Sequence, residues 1–169
     1  MAIVLNTNSY VTEAEADAYM VTRIDAANWT AATTANKEAS LVTATQIIDN
    51  NAWIGYSVSS TQALAFPRKN AVYFDNRLGQ TITIASDTVP DLIKTAVFEQ
   101  ALHLLNHEDL LEGTVQTFEN ISIGSISISD SNNDVTRISI TPAYIMNPLR
   151  PLMHRGTSHG LHNQWWRAN

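Results

Sequence analysis

His103 and His107 stand four residues apart in an apolar, helix-forming stretch, a spacing that places two imidazoles on one helix face within reach of one metal ion. A zinc-protease pattern needs Glu directly after the first His, and Leu104 holds that position. Glu108 and Asp109 are the nearest candidates for a third ligand. The plainer reading is a helix end whose imidazoles sit near the last carbonyls and favour the dipole. His154, His159 and His162 form a looser group without cysteine or a nearby acid, a poor basis for a dedicated metal site. The carboxylates that come in pairs or at turns (Glu13 with Glu15, Asp75, Asp87 with Asp91) fall at helix starts or in polar loops, where acids are routine dipole partners. None of the six glycines precedes Lys-Ser or Lys-Thr, and there is no Gly-x-Ser-x-Gly elbow. With no cysteine, disulfides, thiol catalysis and thiolate metal sites are excluded. The expectation is a protein that is not an enzyme, with no catalytic residue, cofactor or metal.

Two other patterns point to binding. Phe66-Pro67-Arg68-Lys69-Asn70-Ala71-Val72-Tyr73-Phe74 interleaves two cations with three aromatics, the ingredients of a stacking platform for single-stranded nucleic acid. The competing reading has these aromatics closing the core over an irregular segment. Near the C-terminus, Trp165-Trp166-Arg167 joins the residue types most enriched at binding hot spots.

Charge is unevenly spread. Residues 1–134 carry six basic and sixteen acidic residues, a net of −10, whereas residues 135–169 carry four arginines and no acid. An acidic body repels phosphates, which argues against non-specific nucleic-acid binding through the body. The basic segment attracts acidic surfaces. Hydrophobic residues make up 44% of the 169, enough for one core and one domain. The longest apolar runs are too short to span a bilayer, and the N-terminal residues Met1–Asn6 lack the pattern of a signal peptide, so no membrane partner is expected.

Those residues need a scaffold. Thr12-Glu13-Ala14-Glu15 is a capping box that starts a helix over about 13–23. Thr33 or Thr34 caps a second over 34–50, where Leu41, Ala44 and Ile48 follow helical spacing. Residues 52–89 read as irregular chain with short extended pieces, Thr81-Ile82-Thr83-Ile84 among them. Pro90 opens a third helix over 90–108, apolar around more than half its circumference, as in a helix central to a bundle or shared with another subunit. Ile121 and Ile123 then alternate in one phase and Ile126 and Ile128 in the other. The slip at Gly124-Ser125 suggests a bulge or a bend that re-aims the strand, and Asp130–Asp134 suggests the turn of a hairpin over 115–140. A short helix over 142–150 and an arm over 154–169 complete the chain. The fold class is mainly α with a β-hairpin, an α+β domain over 1–153 plus a C-terminal arm.

The segment Asn8-Ser9-Tyr10-Val11-Thr12-Glu13-Ala14-Glu15-Ala16-Asp17-Ala18-Tyr19, the helix holding Lys37–Thr45, the stretch Gln62–Arg68 and Val89-Pro90 together resemble the head–tail connector adaptors (head-completion proteins) of tailed bacteriophages. Close relatives of such adaptors often carry the label DnaT-like single-stranded-DNA-binding protein. The match runs in order over about residues 8–110, with the usual Trp-Pro appearing as Phe66-Pro67. The resemblance implies a structural virion protein, made in the host cytoplasm and placed in the neck at the portal vertex. Its copies, usually twelve, would form a ring below the portal, extend the channel through which genomic DNA passes without specific binding, and offer a platform to tail, stopper or nozzle proteins. Docking on the portal would fall to Arg150, Arg155, Leu161, Trp165, Trp166 and Arg167. Contacts between ring subunits would fall to Phe98, Leu102, Leu105, Ile121, Ile123, Ile126 and Ile128. The alternative is a single-stranded-DNA-binding module of the replication or primosome type.

Overall fold

The computed structural model describes residues 2–75, 77–107 and 139–154 in full, and the strands Asn120–Ile123 and Ile126–Ser129 as backbone. Its α-helices are α1 (Glu13–Met20), α2 (Ala27–Ala31), α3 (Thr34–Asp49), α4 (Asp91–Asn106) and α5 (Ala143–Leu149), the last running into a 3-10 turn over Arg150–Leu152. Three antiparallel strand pairs accompany them: β1 (Tyr56–Ser57) with β2 (Arg68–Lys69), β3 (Val72–Asp75) with β4 (Gln80–Thr83), and β5 (Asn120–Ile123) with β6 (Ile126–Ser129). This is the expected α+β class.

The local signals act as their chemistry requires. Thr12 Oγ1 accepts from the Glu15 N–H at 3.2 Å while Glu15 Oε2 accepts from the Thr12 N–H at 2.8 Å, so two otherwise orphaned donors are satisfied at the start of α1. Thr33 caps α3 through the Asn36 N–H. The first helix stops at Met20, and α2 with its buried Trp29 follows where a polar connection is expected. Trp29 Nε1 and Lys37 Nζ both donate to Asp17 Oδ1 at 2.8 Å, and the ammonium lies 5.4 Å from the indole, so α1, α2 and α3 meet at one polar knot.

α4 is the centre of the molecule and contacts α1, α2, α3 and α5. That position explains its broad apolar circumference: Ile93, Ala96, Val97, Phe98, Ala101, Leu102 and Leu104 are all buried. Phe98 stacks on Tyr19 with ring centroids 4.9 Å apart, and Leu102 is interior. Leu105 packs against the same core. Phe98 and Leu102 are therefore covered by the chain itself and are not available to a second subunit, contrary to the expectation for them.

The third strand pair also corrects the sequence reading. Ile123 pairs with Ile126 and Ile121 with Ile128, so the phase slip falls between two antiparallel partners, a reversal of the chain and not a bulge within one strand. Partners across such a tight reversal differ by an odd number of positions, and a flip of alternation phase is what that reversal produces. The side chains of Ile121, Ile123, Ile126 and Ile128 lie outside the described part, as do the turn expected at 130–134 and the arm beyond His154.

Candidate nucleic-acid interface

The segment that mixes aromatics and cations divides into an inner and an outer half. Phe66 is 1% exposed, set edge-on against Tyr10 and Trp53. The Tyr10 hydroxyl donates to Asp49 Oδ1 and accepts from the Phe66 N–H at 3.0 Å, while the same carboxylate oxygen accepts from the Ala65 N–H at 2.8 Å. Burial and then the Asp49 contact push the Tyr10 phenol far above its ordinary range, so it stays protonated as the donor. Arg68 also turns inward. Its guanidinium donates to the Ile54 and Gly55 carbonyls at 2.7 Å each, to Ala65 at 3.2 Å and to Trp53 at 3.4 Å. Gly55 permits that closeness: at φ +74° it approaches so tightly that a Cβ would lie 2.6 Å from the Lys69 carbonyl oxygen. Phe66 and Arg68 are thus scaffold, as the reading in which these aromatics close the core has it, and a stacking surface is left only to the outer half.

The outer half is a presentation edge. β1 and β2 place Tyr56, 66% exposed, opposite the exposed Lys69. After Asn70, in the left-handed region at φ +56°, the chain enters β3, where exposure alternates. Tyr73 turns toward the core and Phe74 turns out, 55% exposed. The C-terminal part of the described chain is stitched alongside. Ile54 N–H donates to the Leu152 carbonyl at 2.9 Å and His154 N–H to the Ala52 carbonyl at 2.8 Å, with a bridge between Trp53 and Met153. This brings Arg150 and His154 beside Phe74 although the sequence separates them by more than seventy positions. Phe74, Ile54, Asn147, Arg150, Pro151, Met153 and His154 line an open cleft of about 720 Å³. A second cleft of about 510 Å³ shares Phe74 and Pro151 with the first and is lined also by Tyr73, Leu92 and Pro148 and by Asp75, Arg77 and Asp91.

The charges sort the same way. Lys37 pairs with Asp17, Lys94 with Glu15 at 2.9 Å, and Arg23 with Asp25 and Glu99, while Arg77 Nε lies 3.8 Å from Asp75. Arg68 is spent on carbonyls. Among the described residues the cations left without an acidic partner are Lys69 and Arg150, both exposed, beside the exposed His154. The unpaired positive charge among the described residues therefore sits on β2 and the 3-10 turn, the elements that contact β1 with Tyr56 and β3 with Phe74.

Other candidate residues lie elsewhere. His103 is buried, and its Nε2 is engaged by the Ser139 carbonyl at 2.8 Å. His107 approaches it edge-on, with ring centroids 4.8 Å apart. Among the described residues no three His, Cys, Asp or Glu side chains converge as a metal site would need. Of the expected docking residues, Arg150 is exposed on the first cleft, whereas Arg155, Leu161, Trp165, Trp166 and Arg167 lie outside the described residues. The pairing of Phe74 with Arg150 and His154 was not visible in the sequence. The only available signal was strand alternation over Val72–Asp75, which separates Phe74 from Tyr73.

The fold is that of a small α+β domain whose distinguishing surface is an exposed aromatic edge flanked by unpaired cations. The chain belongs to the family described as "Putative DnaT-like ssDNA binding protein", which matches it over residues 2–168. No curated protein and no solved structure matches the chain. The family match corrects the connector-adaptor expectation, because it names a single-stranded-DNA-binding protein and not a structural ring. The portal contact, the twelve-copy ring and the neck location are implied by that resemblance alone.

Proposed function

We propose that this protein binds single-stranded DNA, with Phe74 as the stacking surface and Arg150, Lys69 and His154 as phosphate contacts. The observation that carries the reading is the placement of Phe74, more than half exposed on a paired strand beside the exposed Arg150 and His154. Base stacking on an aromatic ring tolerates any sequence, and a cationic rim tracks the backbone. The family description supports the same reading. With so few free cations on a chain of net charge −6, binding is weak and short-ranged, and it depends on stacking more than on phosphate neutralisation.

The test is fluorescence anisotropy of a labelled oligothymidylate titrated with the full chain at low salt. Binding is expected, and Phe74→Ala is expected to weaken it about tenfold, the size of one lost base–aromatic stack. An oligonucleotide that stays free at the highest protein concentrations, or a Phe74→Ala variant that binds as well as the wild type, overturns the proposal.

A further inference from the structure

The second cleft has a different chemistry from the first. Its walls are apolar, formed by Phe74, Leu92, Pro148 and Pro151, and its charged groups are Asp75, Asp91 and Arg77, a net negative set. A phosphate backbone is disfavoured there. A cationic segment bearing flat apolar side chains fits it, since indoles lie well on proline and leucine surfaces and guanidinium groups pair with carboxylates.

The chain carries such a segment. After His154 come Arg155 and Arg167 with no acid, and Trp165-Trp166 directly precede Arg167. The segment starts at the cleft: Pro151, three positions before His154, lines both clefts, as does Phe74. The stretch from His154 to Trp165 can span at most about 40 Å, ample for a return to a site whose edge lies at its own root. Tethering at that distance raises the local concentration of the segment to the millimolar range, so a weak contact suffices.

We infer that Trp165-Trp166-Arg167 dock within their own chain in the cleft between Phe74 and Pro148–Pro151, the indoles against the prolines and Leu92 and Arg167 toward Asp75 and Asp91. Because Phe74 is a wall of both clefts, a docked tail and a strand stacked on Phe74 compete for the same ring. That competition rests on the single-stranded-DNA reading, whereas the docking does not.

Acrylamide quenching of tryptophan fluorescence in the full chain tests the docking. Trp29 and Trp53 are buried, so a Trp165→Phe/Trp166→Phe variant supplies their background and the difference isolates the tail indoles. Those indoles are expected to be shielded relative to a free peptide of residues 161–169. Asp75→Asn with Asp91→Asn, or Arg167→Glu in the tail alone, is expected to loosen the contact about threefold at low salt, the size an exposed ion pair supports. Arg167→Glu changes no residue that lines the cleft, so a failure of the Asp75 and Asp91 variant to fold leaves the test intact. Tail indoles as quenchable as the free peptide, shielding indifferent to both sets of substitutions, or shielding that grows with protein concentration overturns docking within the chain. Adding oligothymidylate separates the two readings. Shielded indoles with no oligonucleotide binding remove the DNA reading and leave the docking. Oligonucleotide binding with fully quenchable indoles does the reverse.

Discussion

On α4, Glu99 is 7% exposed and faces Tyr19 and Arg23, whereas on β3 Phe74 is 55% exposed and faces no other aromatic ring among the described residues. Each departs from the usual sorting of polar out and apolar in, and such departures carry more information than the residues that obey it. Around Glu99 the departure is compensated from within. Tyr19 donates its hydroxyl to the carboxylate, and burial followed by that contact raises the phenol to about 12. Arg23 comes within 3.1 Å of the other carboxylate oxygen without an aligned hydrogen bond, and it also reaches Asp25. Next to it, Gln100 Nε2 donates to the Ile140 carbonyl at 2.7 Å, and His103 holds the Ser139 carbonyl. The polar residues of α4 thus clamp a segment that has no secondary structure to satisfy its own backbone. Around Phe74 nothing in the described chain compensates, and the cations beside it are unpaired. Buried polarity here serves the fold, and exposed apolarity is left for a partner.

The contrast breaks most sharply at Glu99. Glu99→Ala leaves the Tyr19 hydroxyl without its acceptor and Arg23 with Asp25 alone, and a loss of about 1–3 kcal/mol in urea unfolding is expected. Phe74→Ala is its opposite: less than about 1 kcal/mol of stability, because the ring is mostly in water already, together with the loss of oligonucleotide affinity described above. A stable Glu99→Ala protein, or a Phe74→Ala protein that unfolds, would invert the comparison. Arg150→Ala is expected to cost a few-fold in affinity and to flatten the dependence of log affinity on log salt by about 0.7, one phosphate's share for a single strand. An unchanged slope removes Arg150 from the interface.

The smallest effect is a pH dependence at the clamp. Burial first, and then His107, hold the His103 imidazole below its ordinary value of 6.5, against the opposing bond to Ser139. Above 6.5 the ring is neutral in both states and stability is unaffected. As pH falls below 6.5 the unfolded chain takes up a proton that the folded one resists, so stability declines until the folded ring protonates as well. Urea midpoints between pH 7.5 and 5 should show that slope. His103→Gln keeps a donor for Ser139 and should flatten it. Glu15 and Asp17 act in a lower window. For Asp17 the cause is first the Lys37 contact. For Glu15, burial acts upward and is outweighed by the Thr12 N–H and Lys94. Both carboxyls are depressed and lose their contribution as pH falls through their folded values, below the ordinary 3.8 and 4.5.

Much of the scaffold was legible before any coordinates. The capping box at Thr12–Glu15, the threonine cap of α3 and the apolar circumference of α4 each encode a local event with one physical solution. α2 was not legible, because five residues with no side-chain cap leave no periodic signal. A hairpin was legible in kind, but the slip between Ile123 and Ile126 was not, since a phase flip in alternation signals a bulge and a tight reversal alike, and only pairing distinguishes them. The site was half legible. Composition marked 66–74 as a mixture of rings and cations but gave no sign that Phe66 and Arg68 face inward while Lys69 and Phe74 face out.

Residue types and spacing by themselves determined where α1, α3 and α4 begin, that α4 would be surrounded by packing partners, and that thiol chemistry was excluded. These depend on neighbours within one or two turns, or on composition alone. Tertiary structure alone decided that Arg150 and His154 stand beside Phe74, that the two clefts sharing that ring differ in charge, and that every described Lys and Arg except Lys69 and Arg150 is engaged by a carboxylate or by carbonyls. Such facts arise where distant segments are stitched together, as 52–54 is to 152–154, and no local pattern of side chains records which segments will meet.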